Sequence, residues 1–260
     1  METLRELDLV RAMDARDACV FRAADPGSGS LGLLEIKFSP FNTWYRISSY
    51  FEGDFMEQTQ RGTFKKTIAE NVNNMRIQFD HGMHPRVGSM VLGGIQTLEE
   101  NSKGPLGIVE LDDTSYNRDL LPGLKRGRYG SSFRFQVIRD EWNDKPGKSE
   151  HNPDGIPERT IKEVRLVEFG PVTWPANPAA TAGVRSATDQ YYQSLHAQDP
   201  QAYEHLRSMA TALREETGAA TSTPVRDAAA PEQTTEPALA TPRPTPEQRR
   251  LTALKIRGVI

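Results

Sequence analysis

Two adjacent serines, Ser131 and Ser132, follow Gly130 at the head of an alternating run, Phe133-Arg134-Phe135-Gln136-Val137. On a strand, Phe133, Phe135 and Val137 fall on one face and Ser132, Arg134 and Gln136 on the other. If the aromatic face enters a core, Ser132 points away from it on a rigid mount, which suits a nucleophile. Neighbouring strand residues face opposite ways, so Ser131 and Ser132 cannot both serve. A serine hydroxyl is a weak nucleophile and needs a base, and the base needs a group to orient it.

The base candidate is His81. Met75, Ile77, Phe79 and His81 recur with period two, so the histidine is expected to close an apolar stripe at a strand end, just before Gly82. There it is either a general base with a pKa near working pH or a histidine satisfied by nearby backbone. His84 lies three residues on, but the pair lacks the i, i+4 spacing of a helical metal site and no third ligand is evident. No metal and no cofactor are therefore expected. The orienting acid is sought in Thr160 to Phe169, where Val164, Leu166 and Glu168 share one strand face and Arg165, Val167 and Phe169 the other. A glutamate on an apolar stripe either reaches water at the strand end or needs a partner, His81 or an arginine. Asp80, Asp113 and His84 are the rival orienters.

The elements that must position these groups can be read in part. Leu33 to Phe38, Trp44 to Tyr50, Arg86 to Ile95, Leu106 to Asp112, Gly130 to Arg139 and Thr160 to Phe169 have strand patterning. Gly62 to Asn73 and Thr114 to Gly127 are expected to be helices, the second capped by Thr114 and strained by Pro122. Strands without regular βαβ alternation argue for an α+β fold on a barrel or folded sheet, with flanking helices. Residues 1–30 are charged and end in a Pro-Gly-Ser-Gly-Ser joint, so a flexible N-terminal segment is expected. Leu4, Leu7, Val10 and Met13 there have helical spacing. Residues 31–185 form the ordered domain and 186–216 a helical extension begun by Asp199-Pro200. From Thr221 to Pro246 there are six prolines and six threonines, and Val225 and Leu239 are the only larger aliphatics. Residues 217–260 are accordingly expected to be a disordered linker and tail.

Of the 260 residues 37% are hydrophobic, and the net charge is −3, which does not favour nucleic acid or an anionic membrane as partner. Cys19 is the single cysteine, so neither a disulfide framework nor a cysteine-rich metal site is expected. No signal-like or membrane-spanning run stands out, which points to a soluble protein made in the cytoplasm.

Three separated stretches resemble one family. They are Phe79-Asp80-His81 with Pro85-Arg86-Val87-Gly88, Gly130 to Phe135, and Glu168-Phe169-Gly170-Pro171-Val172-Thr173-Trp174-Pro175-Ala176-Asn177-Pro178. Over residues 31–185 they are similar to the HK97-type prohead proteases of tailed bacteriophages. The resemblance implies a serine protease with a herpesvirus assemblin-like fold, a β-barrel flanked by helices. It implies work in the host cytoplasm inside an immature capsid, on scaffold and capsid-protein extensions and on itself. Ser132 matches the nucleophile, His81 the histidine and Glu168 the third member. The major capsid protein and scaffold are the implied partners, and a homo-oligomer is left open. Arg134 departs from the family, standing where a small glycine is usual, and Gly170-Pro171 replaces Ser-Leu. The oxyanion donors stay unassigned among backbone N–H groups of Gly130 to Phe133, Arg134 and Arg165. Asp227-Ala228-Ala229-Ala230 is a candidate self-cleavage site. A catalytically inert assembly protein with the same fold is the main alternative, and a ligand-binding barrel a third.

Overall fold

A computed structural model describes residues 7–13, 18–25, 27, 29–173 and 186–217, with side chains as far as residue 208. The Trp174 to Pro178 stretch, the linker and tail beyond 217, and the Asp227 to Ala230 candidate lie outside the described residues.

Ten strands and four helices make an α+β fold. In chain order they are β1 (Leu9–Met13), β2 (Cys19–Ala23), β3 (Ser30–Lys37), β4 (Tyr45–Ser49), β5 (Gly53–Thr59), α1 (Lys65–Asn71), β6 (Arg76–Ile77), β7 (Gly93–Glu100), β8 (Pro105–Asp112), α2 (Ser115–Lys125), β9 (Gly130–Asn143), β10 (Glu158–Val172), α3 (Ala187–Gln198) and α4 (Pro200–Thr217). One sheet runs β1-β9-β10-β5-β4, with β6 also on β10; the other runs β2-β3-β8-β7. β10 runs parallel to β5 and β6 and antiparallel to β9.

The expected barrel is not closed among the described residues. The sheets meet where the Leu92 N–H donates to the Ile77 carbonyl at 2.9 Å and Gln78 bridges Val91, and again where Phe41, just past β3, bridges Thr59 of β5. No continuous ladder joins them, so the fold is two sheets sharing one apolar core. The alternation of β9 builds that core: Phe133, Phe135 and Val137 are all buried. Phe38, at the end of β3, stacks on Phe169 of β10 at 4.9 Å and lies 5.2 Å from Phe133. Gly107 of β8 makes room for this cluster, because a Cβ there would stand 2.4 Å from the Phe169 ring.

The N-terminal segment departs from expectation. Val10 and Met13 lie on a strand, not a helix, and β1 pairs with β9 from Leu9↔Phe135 to Met13↔Ser131. Arg11 explains why this charged stretch is ordered. Its guanidinium is buried and bonds Glu57 (2.6 Å) and Glu52 (2.6 Å), while Arg159 reaches Glu57 at 3.3 Å and Asp140 at 2.8 Å. Paired and hydrogen-bonded in this way, the charges can be buried. The predicted strand over 86–95 is displaced: Pro85 to Gly88 form turns, and β7 begins only at Gly93.

Candidate active site

Ser131 and Ser132 face opposite ways, as strand geometry demands. Ser131 Oγ donates to the Lys37 carbonyl (2.5 Å), on the side shared with Phe133 and the second sheet. Ser132 Oγ is on the other side and donates to the Arg11 carbonyl (2.8 Å) on neighbouring β1. Only Ser132 of the two lines a cleft of about 230 Å³. His81 lines the same cleft, as do His84, Met83, Ala12 and Tyr191.

Glu168 reaches this side through a fault in the ladder. Leu166 pairs with Phe135 and Glu168 with Arg134, so Val167 is an extra residue on β10. Such a bulge re-aims the side chains that follow it. Leu166 keeps the core face and Glu168, instead of continuing that stripe, joins the face of Arg134 and Ser132. Its carboxylate is 1% exposed and its Oε1 is hydrogen-bonded to His81 Nδ1. Regular alternation therefore put Glu168 on the wrong face, and of the open alternatives, water, His81 or an arginine, its carboxylate meets His81.

His81 is not at a strand end. β6 stops at Ile77, and Asp80 to Gly82 form a 3₁₀ turn in which Asp80 (φ 47°) and His81 (φ 57°) are left-handed. Left-handed non-glycine residues cost roughly 1–3 kcal/mol each and persist when surroundings hold them. Asp80 supplies the hold: its carboxylate accepts from the Thr173 N–H (2.7 Å) and the Thr173 hydroxyl (2.9 Å), tying the turn to the end of β10. Gly170 supplies the fit. It pairs with Ser132, and a Cβ on it would stand 1.9 Å from the Gln78 carbonyl. The chain leading to His81 thus crosses directly over β10 beside the nucleophile candidate.

The rival orienters are occupied elsewhere. Asp80 holds Thr173, and Asp113 forms an exposed pair with Arg118 (2.6 Å). His84 Nδ1 accepts from the N–H groups of Arg86 and Val87, both at 3.3 Å. Arg165, an oxyanion candidate, is exposed and reaches Gln136 at 3.5 Å. Backbone N–H groups of Gly130 to Phe133 lie in a strand flanked on both sides, by β1 and β10.

Tyr191 is a site residue that the sequence did not single out, and Arg134, an oxyanion candidate there, is engaged by other groups. Arg134 Nη1 bonds Asp8 (3.0 Å) and the Tyr191 hydroxyl (2.9 Å), and its Nε is 3.8 Å from Glu168 Oε1. Burial opposes the Arg134 charge, but Tyr191, Glu168 and Asp8 outweigh it and raise the guanidinium above its ordinary value. Tyr191 comes from α3, whose N-cap Ser186 accepts from the Asp189 N–H at 3.0 Å. Burial first, then Asp8 and Glu168, push its phenol up. Its ring meets His81 edge-on at 6.0 Å. The Tyr191-Tyr192 pair inside a capped helical segment was the available signal, and residues 186–216 had been read as an extension only.

The model of the caudovirus prohead serine proteases matches residues 37–194, well over half of the chain. The chain belongs to that family. The match takes in the turn bearing His81, both serines, Glu168 and α3 as far as Ser194. Among solved structures, the capsid assembly protease of bacteriophage T4, gp21, is similar at 11% identity, with 65% of this chain and 98% of that chain covered. Its TM-score of 0.38 is too low to bear on the argument. No curated protein matches the chain.

Proposed function

We propose that this prohead protease is a serine endopeptidase in which Ser132 is the nucleophile, His81 the general base and Glu168 the group that orients it. The observation that carries the reading is the convergence of three elements on one cleft. β9 brings Ser132, a turn tied down by Thr173 brings His81, and a bulge in β10 brings a buried Glu168 to His81 Nδ1. With Nδ1 engaged by the carboxylate, Nε2 of His81 is the nitrogen left to take a proton.

Ser132 Oγ attacks the carbonyl carbon of a peptide bond as His81 accepts the hydroxyl proton. Glu168 fixes the imidazole tautomer and stabilises the imidazolium. His81 then returns the proton to the leaving amine, and the C–N bond breaks to give an acyl-enzyme on Ser132. Water, deprotonated by His81, hydrolyses the ester and restores the hydroxyl. The substrates under this reading are extensions of the capsid and scaffold proteins, and the chain itself, cut inside the immature capsid in the host.

An inert assembly protein is the second reading, favoured by one observation. Ser132 is 1% exposed, and its hydroxyl is given to the Arg11 carbonyl. Co-expression with the capsid and scaffold proteins, read by intact mass, separates the two. The protease reading expects shortened capsid protein with the wild type and full-length protein with Ser132→Ala. Full-length protein in both, within well-formed shells, makes the inert reading correct.

A further inference from the structure

Arg134 is poised over the catalytic pair without touching the cleft's reacting atoms. It sits directly opposite Glu168 across the β9–β10 ladder. Its Nε and the Glu168 Oε2 are both buried, and neither has a hydrogen-bond partner among the described residues. An unpaired buried carboxylate oxygen is costly, and a nearby cation is the ordinary compensation. The guanidinium cannot simply swing onto Glu168, because Asp8 and Tyr191 hold its NH1 from the other side. Gln136 braces Asp8 in turn, donating to its Oδ1 at 3.0 Å. Tyr191 also lies under the guanidinium, 5.4 Å from ring centre to Cζ, while its edge faces His81.

We propose that Arg134 is a positioning residue for the proposed reaction: a tethered cation that keeps the Glu168 carboxylate aimed at His81 Nδ1. This rests on the assignment of Ser132, His81 and Glu168 made above. The charged and titratable groups facing the pair are Arg134 on β9, Asp8 ahead of β1, Tyr191 on α3 and Asp80 in the His81 turn. Asp80 is spent on Thr173, and Asp8 is bonded to Arg134 and Gln136. Arg134 is thus the one arginine or lysine among the described residues within 4 Å of the Glu168 carboxylate.

The test uses the full chain and a peptide spanning the junction cut in the co-expressed capsid protein. Rates are followed over pH 5 to 9 for wild type, Arg134→Gln, Arg134→Lys and Ser132→Ala. Arg134→Gln is expected to lower kcat about tenfold or more with little change in KM, since orientation of the base is lost and substrate contacts are not. Arg134→Lys, which keeps the charge and loses the fork, is expected to recover part of the lost kcat. If Arg134→Gln loses activity only in proportion to its folded fraction, Arg134 is merely structural and the proposal is wrong. A rise in KM alone, or Arg134→Lys no better than Arg134→Gln, also overturns it. Wild type indistinguishable from Ser132→Ala would instead bring down the underlying assignment.

Discussion

Under the proposed reaction, Ser132 Oγ leaves the Arg11 carbonyl before giving a proton to His81, a move that needs rotation about one bond. Ser131 has no such freedom, being buried against Lys37 on the core side. Ser131→Ala is therefore expected to keep processing while losing about 1 kcal/mol of stability, read as a lowered urea midpoint. Loss of processing with unchanged stability would mean the two serines have been assigned the wrong way round. A second residue-scale expectation concerns Cys19. Burial pushes its thiol up to about 12, and Sγ donates to the Gly130 carbonyl. It should resist alkylation at pH 8 in the folded protein and react at once in denaturant. The serine pair and its facing were legible from sequence because β9 alternates without a fault from Ser131 to Val137. The role of Arg134 was not, because its partner Tyr191 is 57 residues away on another element.

At the scale of elements, the bulge at Val167 and the contact at Gly170 set the Glu168–His81 pair that the proposed reaction requires. Deleting Val167 restores regular alternation and turns Glu168 toward the core. The expected result is loss of cleavage by at least a hundredfold together with a lower melting temperature, followed by peptide assay and circular dichroism. Gly170→Ala should push the Gln78 backbone, and with it the His81 turn, away from Ser132. A misplacement near 1 Å can cost about a hundredfold in rate. Wild-type kcat in Gly170→Ala would show that the turn is not held by this contact. Neither device can be read from one sequence. A bulge leaves the residue pattern looking like ordinary alternation, and Gly170 is demanded by a backbone 92 positions earlier in the chain. The His81 turn was misread for a related reason: Met75, Ile77 and Phe79 are all buried, as a strand stripe requires, but Asp80 bends the chain after them to reach Thr173.

At the scale of the molecule, the family-wide region begins at Lys37, yet the fold draws on what precedes it. β1 covers one side of β9, and Arg11 answers Glu57 in the interior. Helical spacing of Leu4, Leu7, Val10 and Met13 concealed this, since the burial of Arg11 depends on acids far along the chain. Burial alone would raise the Glu57 carboxyl; Arg11 and Arg159 overcome it and bring it below the usual range. A depressed folded value means this pair stabilises the protein above the unfolded carboxylate value of about 4.3 and ceases to as pH falls through the folded value. Urea midpoints should thus decline below about pH 4.3. Glu57→Gln should cost about 1.5–3 kcal/mol at pH 7, by taking one buried partner from Arg11 and Arg159, and should flatten that decline. A chain that starts at Asp14, and so lacks β1, is expected to melt well below the full chain. Equal melting temperatures would show that β1 is dispensable.

The central claim is that Ser132 is a nucleophile activated by His81, and the most direct measurement is the site of covalent modification. In cells making the chain with its capsid protein, a fluorophosphonate probe followed by peptide mass mapping reports which hydroxyl reacts. The account predicts an adduct on the Gly130 to Arg134 stretch at Ser132, absent in His81→Ala and Glu168→Ala reduced at least tenfold. An adduct on Ser131, or none in particles whose capsid protein has been processed, would contradict it.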